Sequence, residues 1–194
     1  MNWRRTVVLV WLVIFTQATV GQNLSKPFWG IHDWNGARYG NIARNYLKYG
    51  LLTTRLAQIE NGDINTHYPP LLPLLLAVSY KLFGVSEWAT RLVPFLATTG
   101  SIIIIWRITR LEFGEMPGIF SALFALATVV IRYFGKMPVH EPVALVFALL
   151  AFWSIQLGKK RLTWLAVLLC LLTNWLGVYL VIGLTVLLGK RAWP

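Results

Sequence analysis

Long apolar runs separated by basic residues extend through most of this sequence. They predict membrane-spanning helices at about residues 6–21, 88–108, 117–135, 140–158, 162–174 and 175–189. An apolar run can cross a bilayer as a helix because a helix satisfies its backbone hydrogen bonds internally. Since 57% of the residues are hydrophobic and only 13% are charged, a soluble domain is excluded. The sequence predicts one all-α, polytopic integral membrane domain over residues 1–194.

Two of these runs allow alternatives. Residues 6–21 follow Arg4 and Arg5 and are short enough for a cleaved signal peptide, but a retained anchor is favoured because further spans follow. The run from residue 162 to 188 is interpreted as two short helices that turn at Asn174. A single long tilted helix is the alternative.

Residues 22–87 form the predicted outer loop, with interfacial helices at about 36–49 and 70–83. In the first helix, one face is apolar and aromatic, at Tyr39, Ile42, Ala43, Tyr46 and Leu47. The opposite face is basic and polar, which suits a helix that lies in the membrane interface. The second helix follows a proline pair and is too short to span a bilayer comfortably.

Basic residues at the ends of the runs predict the orientation. If helix 70–83 does not cross, all the clusters lie on the cytoplasmic side: Arg4/Arg5, Arg107/Arg110, Lys159 to Arg161 and Lys190/Arg191. Asp33, His67 and the 136–141 turn then lie outside. This arrangement places the protein in a plasma or inner membrane, with its candidate site facing away from the cytoplasm.

The formal net charge of +11 does not indicate nucleic-acid binding. The cations flank apolar runs and do not form a stripe on a soluble face, so the expected anionic partners are membrane lipids or phosphate. Cys170 is the only cysteine, which excludes an internal disulfide and a metal site built from cysteines.

Two acids in the predicted outer segments are the main candidates for chemistry. Asp33, beside a Trp34-Asn35-Gly36 turn, suits a general base that takes a proton from an attacking hydroxyl. Glu141 begins an apolar helix and, with His140, suits binding of a divalent cation or positioning of a phosphate. Oxygen and imidazole ligands leave Mg, Mn, Ca and Zn open as the metal.

Three cations are candidates for neutralising a phosphate leaving group: Arg38, Arg55 and Lys136. Contact with lipid headgroups is the alternative role for each of them. Further site candidates in the same outer segments are His32, His67 and Tyr68.

Three motifs resemble landmarks of the GT-C glycosyltransferases, closest to the protein mannosyltransferase and lipid A aminoarabinose transferase group. The first is the Asp33 to Gly50 stretch with its Ala37-Arg38-Tyr39 and Ile42-Ala43-Arg44-Asn45-Tyr46-Leu47 segments. The second runs from Tyr68-Pro69-Pro70-Leu71 through Lys81-Leu82-Phe83-Gly84-Val85-Ser86-Glu87 to Arg91-Leu92. The third is Phe134-Gly135-Lys136-Met137 followed by His140-Glu141-Pro142.

This resemblance implies a GT-C-like helical bundle that moves a sugar from a polyprenyl-phosphate donor to a hydroxyl, with inversion at the anomeric carbon. It implies that Asp33 is the base or the group that orients the acceptor, and that Glu141 helps to bind a divalent metal or the donor phosphate. The acceptor is left open among a protein, a lipid and a glycan. Because family members are longer, the chain is expected to be an N-terminal part, and two alternatives follow: a non-catalytic protein that binds or transports polyprenyl-phosphate lipids, or an inactive fragment.

Overall fold

The chain folds into a bundle of helices. The computed structural model describes residues 3–56, 64 and 67–188, and within them lie nine helices. These are α1 (Trp3–Thr19), α2 (Trp34–Tyr49), α3 (Leu71–Phe83), α4 (Glu87–Phe113), α5 (Glu115–Ala127), α6 (Val129–Phe134), α7 (His140–Gln156), α8 (Lys160–Leu171) and α9 (Leu176–Leu188). The prediction of an all-α fold is confirmed.

Helices α4 and α7 run parallel and form the centre of the bundle. Close to the middle of α4, Thr98 Oγ1 donates to the carbonyl oxygen of Gly135, just before α7, at 2.7 Å. At their far ends, the Gln156 amide of α7 donates to Glu112 Oε1 of α4 at 2.8 Å. The two helices are therefore in register along most of their length.

The last apolar stretch forms two helices. Helix α8 ends at Leu171 and α9 begins at Leu176, where Asn174 Oδ1 accepts a hydrogen bond from the Leu176 backbone at 3.1 Å. The predicted span at 117–135 is also divided, into α5 and α6. Thr128 separates these two helices, and its hydroxyl accepts from the Ile131 backbone at the start of α6.

The bundle has two chemically different ends. Helix α1 brings Arg5 close enough to repel Arg107 of α4 at one end. Just beyond the other end of α1, the Gln22 carbonyl accepts a hydrogen bond from Lys136 at 2.6 Å. The end of the bundle at which α4 and α7 begin is called the Asp33 end. The opposite end, which carries Arg5 and Arg107, is called the arginine end.

The basic clusters within the described residues share the arginine end. Helix α8 runs antiparallel to α7, since Ser154 and Thr163 are hydrogen-bonded at 2.8 Å. Lys159, Lys160 and Arg161 at the start of α8 therefore lie near the end of α7. The fourth predicted cluster, Lys190/Arg191, lies outside the described residues.

The apolar face predicted for α2 is covered by protein. Tyr39, Ile42, Ala43 and Tyr46 are buried, whereas Leu47 of the same predicted face is 47% exposed. The buried face packs against Leu72, Leu76 and Tyr80 of α3. The leucine-rich α3 supplies this cover, so lipid is not the partner of the stripe.

By length and apolar composition, α4 is the one described helix that could cross a membrane by itself. The apolar segments Arg5–Thr19, Leu71–Phe83, Glu115–Ala127 and His140–Gln156 are shorter. A span of the hydrocarbon core takes about 20 residues as a helix.

Close packing of α2 against α3 and α4 predicts that Gly40→Ala lowers stability. An added Cβ would lie 2.6 Å from the Tyr80 hydroxyl, which shares a 2.6 Å hydrogen bond with Thr90. We expect a loss of about 1–3 kcal/mol, measured as a lower thermal unfolding temperature in detergent. The control is Gly183→Ala in α9, where no atom lies within 4 Å of the new Cβ. Equal effects of the two substitutions would contradict the packing argument.

Candidate functional site

Asp33 is positioned by a buried arginine from another helix. The residue lies immediately before α2, at the end of a segment that we call the 20–33 loop. Arg91 Nη2 of α4 lies 3.8 Å from Asp33 Oδ1, and the two side chains are only 6% and 10% exposed. A buried carboxylate needs such a partner, because an unpaired charge in this environment is strongly disfavoured.

Arg91 also fixes the backbone that leads to Asp33. Its guanidinium donates hydrogen bonds to three carbonyl oxygens of the 20–33 loop: Leu24 at 3.1 Å, Lys26, and Pro27 at 3.3 Å. The guanidinium carbon lies 4.5 Å from the centre of the Phe28 ring. One side chain therefore sets both the path of the loop and the position of the carboxylate.

Two more side chains hold the 20–33 loop. Lys136 Nζ donates to the Gln22 carbonyl at 2.6 Å, and the Tyr133 hydroxyl donates to the Ile31 carbonyl at 3.0 Å. Both donors come from α6 and from the segment that follows it, which we call the 135–139 turn. The loop is thus attached to α4, α6 and this turn.

Asp33 lines a cavity of about 500 Å³ that is rich in cations. Its walls are Asn23, Lys26, Pro27, Trp29, Asp33, Arg91, Tyr133, Lys136 and Met137. Burial lowers the pKa of Lys136 below its usual value, the positive charge of Arg91 adds to this effect, and Asp33 opposes it. A cavity with one carboxylate and three cations is suited to bind an anionic group beside a base.

Glu141 lines a different cavity, of about 300 Å³, which is mostly apolar. Its other walls come from α4, α6, α7, α8 and α9: Thr98, Val130, Ile131, Phe134, Gly135, Pro142, Ala144, Leu145, Ala148, Cys170 and Leu176. Lys136 and Met137 of the 135–139 turn face the Asp33 cavity, whereas Gly135 faces this one. The two acids therefore lie on either side of one turn.

Gly135 allows this turn to pack closely. A Cβ at this position would lie 2.4 Å from the Ile131 carbonyl oxygen and 2.9 Å from Thr98 Cγ2. Only the absence of a side chain lets the turn approach α4 so closely.

His140 lies in an aromatic cluster beside Glu141. Its ring stacks on Tyr68 at 4.3 Å and meets Tyr39 edge-on at 4.6 Å. The imidazole Nε2 is buried and has no hydrogen-bond partner within the described part of the chain. Burial raises the pKa of Tyr39 to about 12, with smaller effects from Arg38, Tyr68 and Glu141. Tyr39 therefore keeps its hydroxyl proton near neutral pH, and its ring contacts His140.

The described residues do not assemble a complete metal site. Among them, no group of three His, Cys, Asp or Glu side chains is placed to hold an ion. The unpartnered Nε2 of His140 and the exposed Glu141 carboxylate are the two predicted ligands, and no third described ligand joins them.

The other two predicted cations, Arg38 and Arg55, are not among the residues that line the Asp33 cavity. Arg38 is one turn into α2, with its guanidinium carbon 5.8 Å from the Trp34 ring centre. Arg55 is exposed beyond the far end of α2, a helix of 16 residues that is about 24 Å long. Of the three predicted phosphate ligands, the structure brings Lys136 into the Asp33 cavity.

The two remaining histidines are exposed at the Asp33 end. The His32 ring lies 6.1 Å from Phe134, and the His67 carbonyl accepts a 2.7 Å hydrogen bond from the Trp175 indole. Their imidazoles take no part in the Asp33 cavity as described. They border the site and do not form its walls.

Sequence reasoning did not assign Arg91 or Lys26 to the site. A signal for Arg91 was available, because an ionisable residue within an apolar span is a functional candidate by default. Lys26 carries no such signal, since it is one exposed lysine in a loop. Only the course of the 20–33 loop brings it beside Lys136.

Comparison with known proteins identifies a family. Residues 67–190 match the family described as dolichyl-phosphate-mannose-protein mannosyltransferase. An "Uncharacterized protein" of Aquifex aeolicus (strain VF5) is 29% identical over 142 residues, covering 68% of this chain and 34% of that protein. The "Putative mannosyltransferase YkcB" of Bacillus subtilis (strain 168) is 24% identical over 106 residues, covering 54% of this chain and 15% of the relative. The chain therefore spans about a third or less of the length of these relatives.

Two solved structures share the fold. ArnT from Cupriavidus metallidurans bound to undecaprenyl phosphate matches with a TM-score of 0.66 and 21% identity, covering 98% of this chain and 37% of ArnT. The apo state of the same protein matches with a TM-score of 0.63 and 24% identity, over 97% and 36% of the two chains. These matches confirm the GT-C-like fold, and the family match over residues 67–190 confirms the resemblance to the mannosyltransferase group.

The buried contact between Asp33 and Arg91 predicts coupled effects of substitution. Arg91→Met should destabilise the protein by about 3–5 kcal/mol, because it leaves a buried carboxylate and three carbonyl oxygens without their donor. Asp33→Asn in the same chain should restore part of this loss, with a coupling energy of about 1–3 kcal/mol. The measurement is a double-mutant cycle of denaturant unfolding in detergent.

The matched control cycle combines Arg91→Met with Glu112→Gln, an acid at the arginine end. We expect additive effects in that cycle. Additive effects in the Asp33 cycle as well would show that the two charges do not depend on each other.

Proposed function

Because the chain belongs to the dolichyl-phosphate-mannose-protein mannosyltransferase family, we propose that it transfers a sugar from a polyprenyl-phosphate donor to a hydroxyl acceptor. The proposed reaction inverts the anomeric carbon. The observation that carries the proposal is the buried Asp33 carboxylate, which faces a cavity shared with Arg91, Lys26 and Lys136. This cavity combines a base with positive charge for a phosphate.

The proposed reaction is a single displacement. The acceptor hydroxyl oxygen attacks the anomeric carbon while the bond from that carbon to the phosphate oxygen breaks. The hydroxyl proton goes to the Asp33 carboxylate, and the bonding electron pair leaves with the polyprenyl phosphate. Lys136 and Lys26 stabilise the negative charge that develops on this leaving group. Attack opposite the leaving group inverts the configuration.

Arg91 is proposed as a positioning residue for Asp33. Its guanidinium contacts three carbonyl oxygens of the 20–33 loop, and its Nη2 lies 3.8 Å from Asp33 Oδ1. The base is thereby held in a fixed direction relative to the cavity. A fixed direction matters because proton transfer needs hydrogen-bond geometry.

The apolar cavity beside Glu141 is proposed to hold the beginning of the polyprenyl chain. It adjoins the Asp33 cavity across the 135–139 turn, and its walls are almost wholly apolar apart from Glu141. The undecaprenyl phosphate bound in the ArnT structure supports a donor lipid of this class. A divalent metal at Glu141 and His140 stays a prediction, and the acceptor is open among a protein, a lipid and a glycan.

We propose that the Asp33 end faces away from the cytoplasm. Membership of this family indicates a membrane protein. The described basic clusters lie at the opposite end of the bundle, as expected for the cytoplasmic side. A plasma or inner membrane location with an outward-facing site follows from this orientation.

A non-catalytic role in polyprenyl-phosphate binding is distinguished from transfer by one substitution. Asp33→Asn keeps the shape of the side chain but removes the base, so we expect transfer to fall by about 10²–10⁴-fold. Binding of polyprenyl phosphate should be retained, since the cations of the cavity remain. Membranes that contain the chain are assayed for transfer from a labelled polyprenyl-phosphate sugar, with Glu112→Gln as the control. Lipid binding without transfer in the unsubstituted chain would favour the non-catalytic role.

Sidedness can be measured with single cysteines after Cys170→Ala. Cysteines are placed at His32 and Glu141, which are exposed at the Asp33 end, and at Lys159 near the arginine end. A membrane-impermeant maleimide should label positions 32 and 141 in intact cells, and position 159 only after lysis. Labelling of position 32 from outside and of position 141 only after lysis would separate the two acids and overturn the proposed site.

A further inference from the structure

Two arginines lie over one buried tryptophan at the arginine end of the bundle, and a third arginine lies near them. Trp106 of α4 is fully buried. The guanidinium carbons of Arg107 and Arg110 lie 5.0 and 4.8 Å from the centre of the Trp106 ring system. Arg5 of α1 is exposed and near enough to repel Arg107. We call Arg5, Arg107 and Arg110 the arginine cluster.

One carboxylate within the described residues is ion-paired with this cluster. Glu115 Oε2 lies 3.7 Å from Arg110 Nη1, while Glu115 Oε1 accepts a 3.1 Å hydrogen bond from the Trp106 indole. The other nearby acid, Glu112, accepts from Gln156 of α7. The three arginines therefore outnumber the two nearby carboxylates by one positive charge.

Arg110 carries a donor that the described chain does not satisfy. Its Nη1 is buried and has no hydrogen-bond partner among the described residues, because Glu115 lies beyond hydrogen-bond distance. A buried donor without an acceptor is disfavoured, by more when the group is charged. An anion beside Arg107 and Arg110 would balance the excess positive charge at this end of the bundle.

The surroundings of the arginine cluster favour a lipid. Large apolar side chains beside it are exposed at the corner between α4 and α5: Leu111, Phe113, Met116 and Phe120 are 49%, 73%, 59% and 62% exposed. Acyl chains can cover such side chains, whereas a soluble anion cannot. Arginine matches phosphate with paired donors, and basic residues at a membrane surface attract anionic lipids.

We propose that the arginine cluster binds the phosphate of an anionic membrane lipid. The cluster is separate from the transfer site, because Arg107 lies 16 residues along α4 from Arg91, which is about 24 Å in a helix. The bound lipid joins α1, α4 and α5 at this end of the bundle. Its role is to anchor these helices and it takes no part in the proposed transfer.

The test compares lipid binding by matched variants. The purified chain in neutral detergent is titrated with phosphatidylglycerol, phosphatidylcholine and inorganic phosphate, and bound lipid is measured by native mass spectrometry. The double variant Arg107→Gln/Arg110→Gln should bind phosphatidylglycerol about thirtyfold more weakly. The control Lys159→Gln/Lys160→Gln loses the same charge at the same end and should retain binding. Arg5→Gln changes an exposed side chain without risk to folding and should weaken binding about fivefold.

Each outcome of this test decides the proposal. Selective loss in the arginine variants, with little binding of phosphatidylcholine or phosphate, supports a lipid phosphate site. Equal loss in the arginine and lysine variants would show a diffuse charge effect and overturn it. Binding of inorganic phosphate as tight as that of phosphatidylglycerol would make the site one for a soluble anion, and unchanged binding by Arg5→Gln would remove α1 from it.

Discussion

The guanidinium of Arg91 is the contact on which the candidate site depends. A buried arginine needs acceptors for its donors, and it finds them in three carbonyl oxygens of the 20–33 loop and in the Asp33 carboxylate. The loop contains turns, including hydrogen bonds from Lys26 to Asn23 and from Asp33 to Gly30, but residues 20–33 form no helix or strand. Because the buried charge of Arg91 must be satisfied, the 20–33 loop takes one path and forms a wall of the Asp33 cavity.

The 135–139 turn separates two kinds of environment within a short distance. On one side, Lys136 contributes charge to a polar cavity, and on the other side Gly135 and Phe134 contribute to an apolar one. An amphipathic ligand with a phosphate at the end of a hydrocarbon chain has the same division. The close approach of this turn to α4 at Gly135 keeps the two cavities adjacent.

The sequence predicted the parts of the fold that depend on periodicity. The apolar face of α2 and the short length of α3 could be read directly, because helical spacing places such residues on one side. The partner of that face was not predictable, since a membrane interface and a leucine-rich neighbouring helix favour the same pattern. The break at Thr128 was missed because no proline or glycine marks it, and a threonine that caps α6 looks like any other residue in an apolar run.

The sequence could predict the site residues that stand out by their type or that lie close to one another along the chain. Asp33, His140 and Glu141 stand out by type and position, and Lys136 lies in the same short turn as the last two. Arg91 and Lys26 could not be joined to Asp33 by spacing, because their proximity depends on how the 20–33 loop crosses the start of α4. Arg55 lies in the same predicted outer loop as Asp33. However, Asp33 directly precedes α2 and Arg55 follows it, so the length of α2 separates the two residues.

The attachments of the 20–33 loop also set an order for assembly during synthesis. Its tethers come from residues 91, 133 and 136, all made after the loop itself. Chains begin to fold from the N-terminal side while they are still being made, at about 5–20 residues per second. The loop therefore leaves the ribosome well before its partners, and Asp33 reaches its final position only after α4 and α6 have been made. A folding defect in either helix would leave the Asp33 carboxylate without the residues that position it.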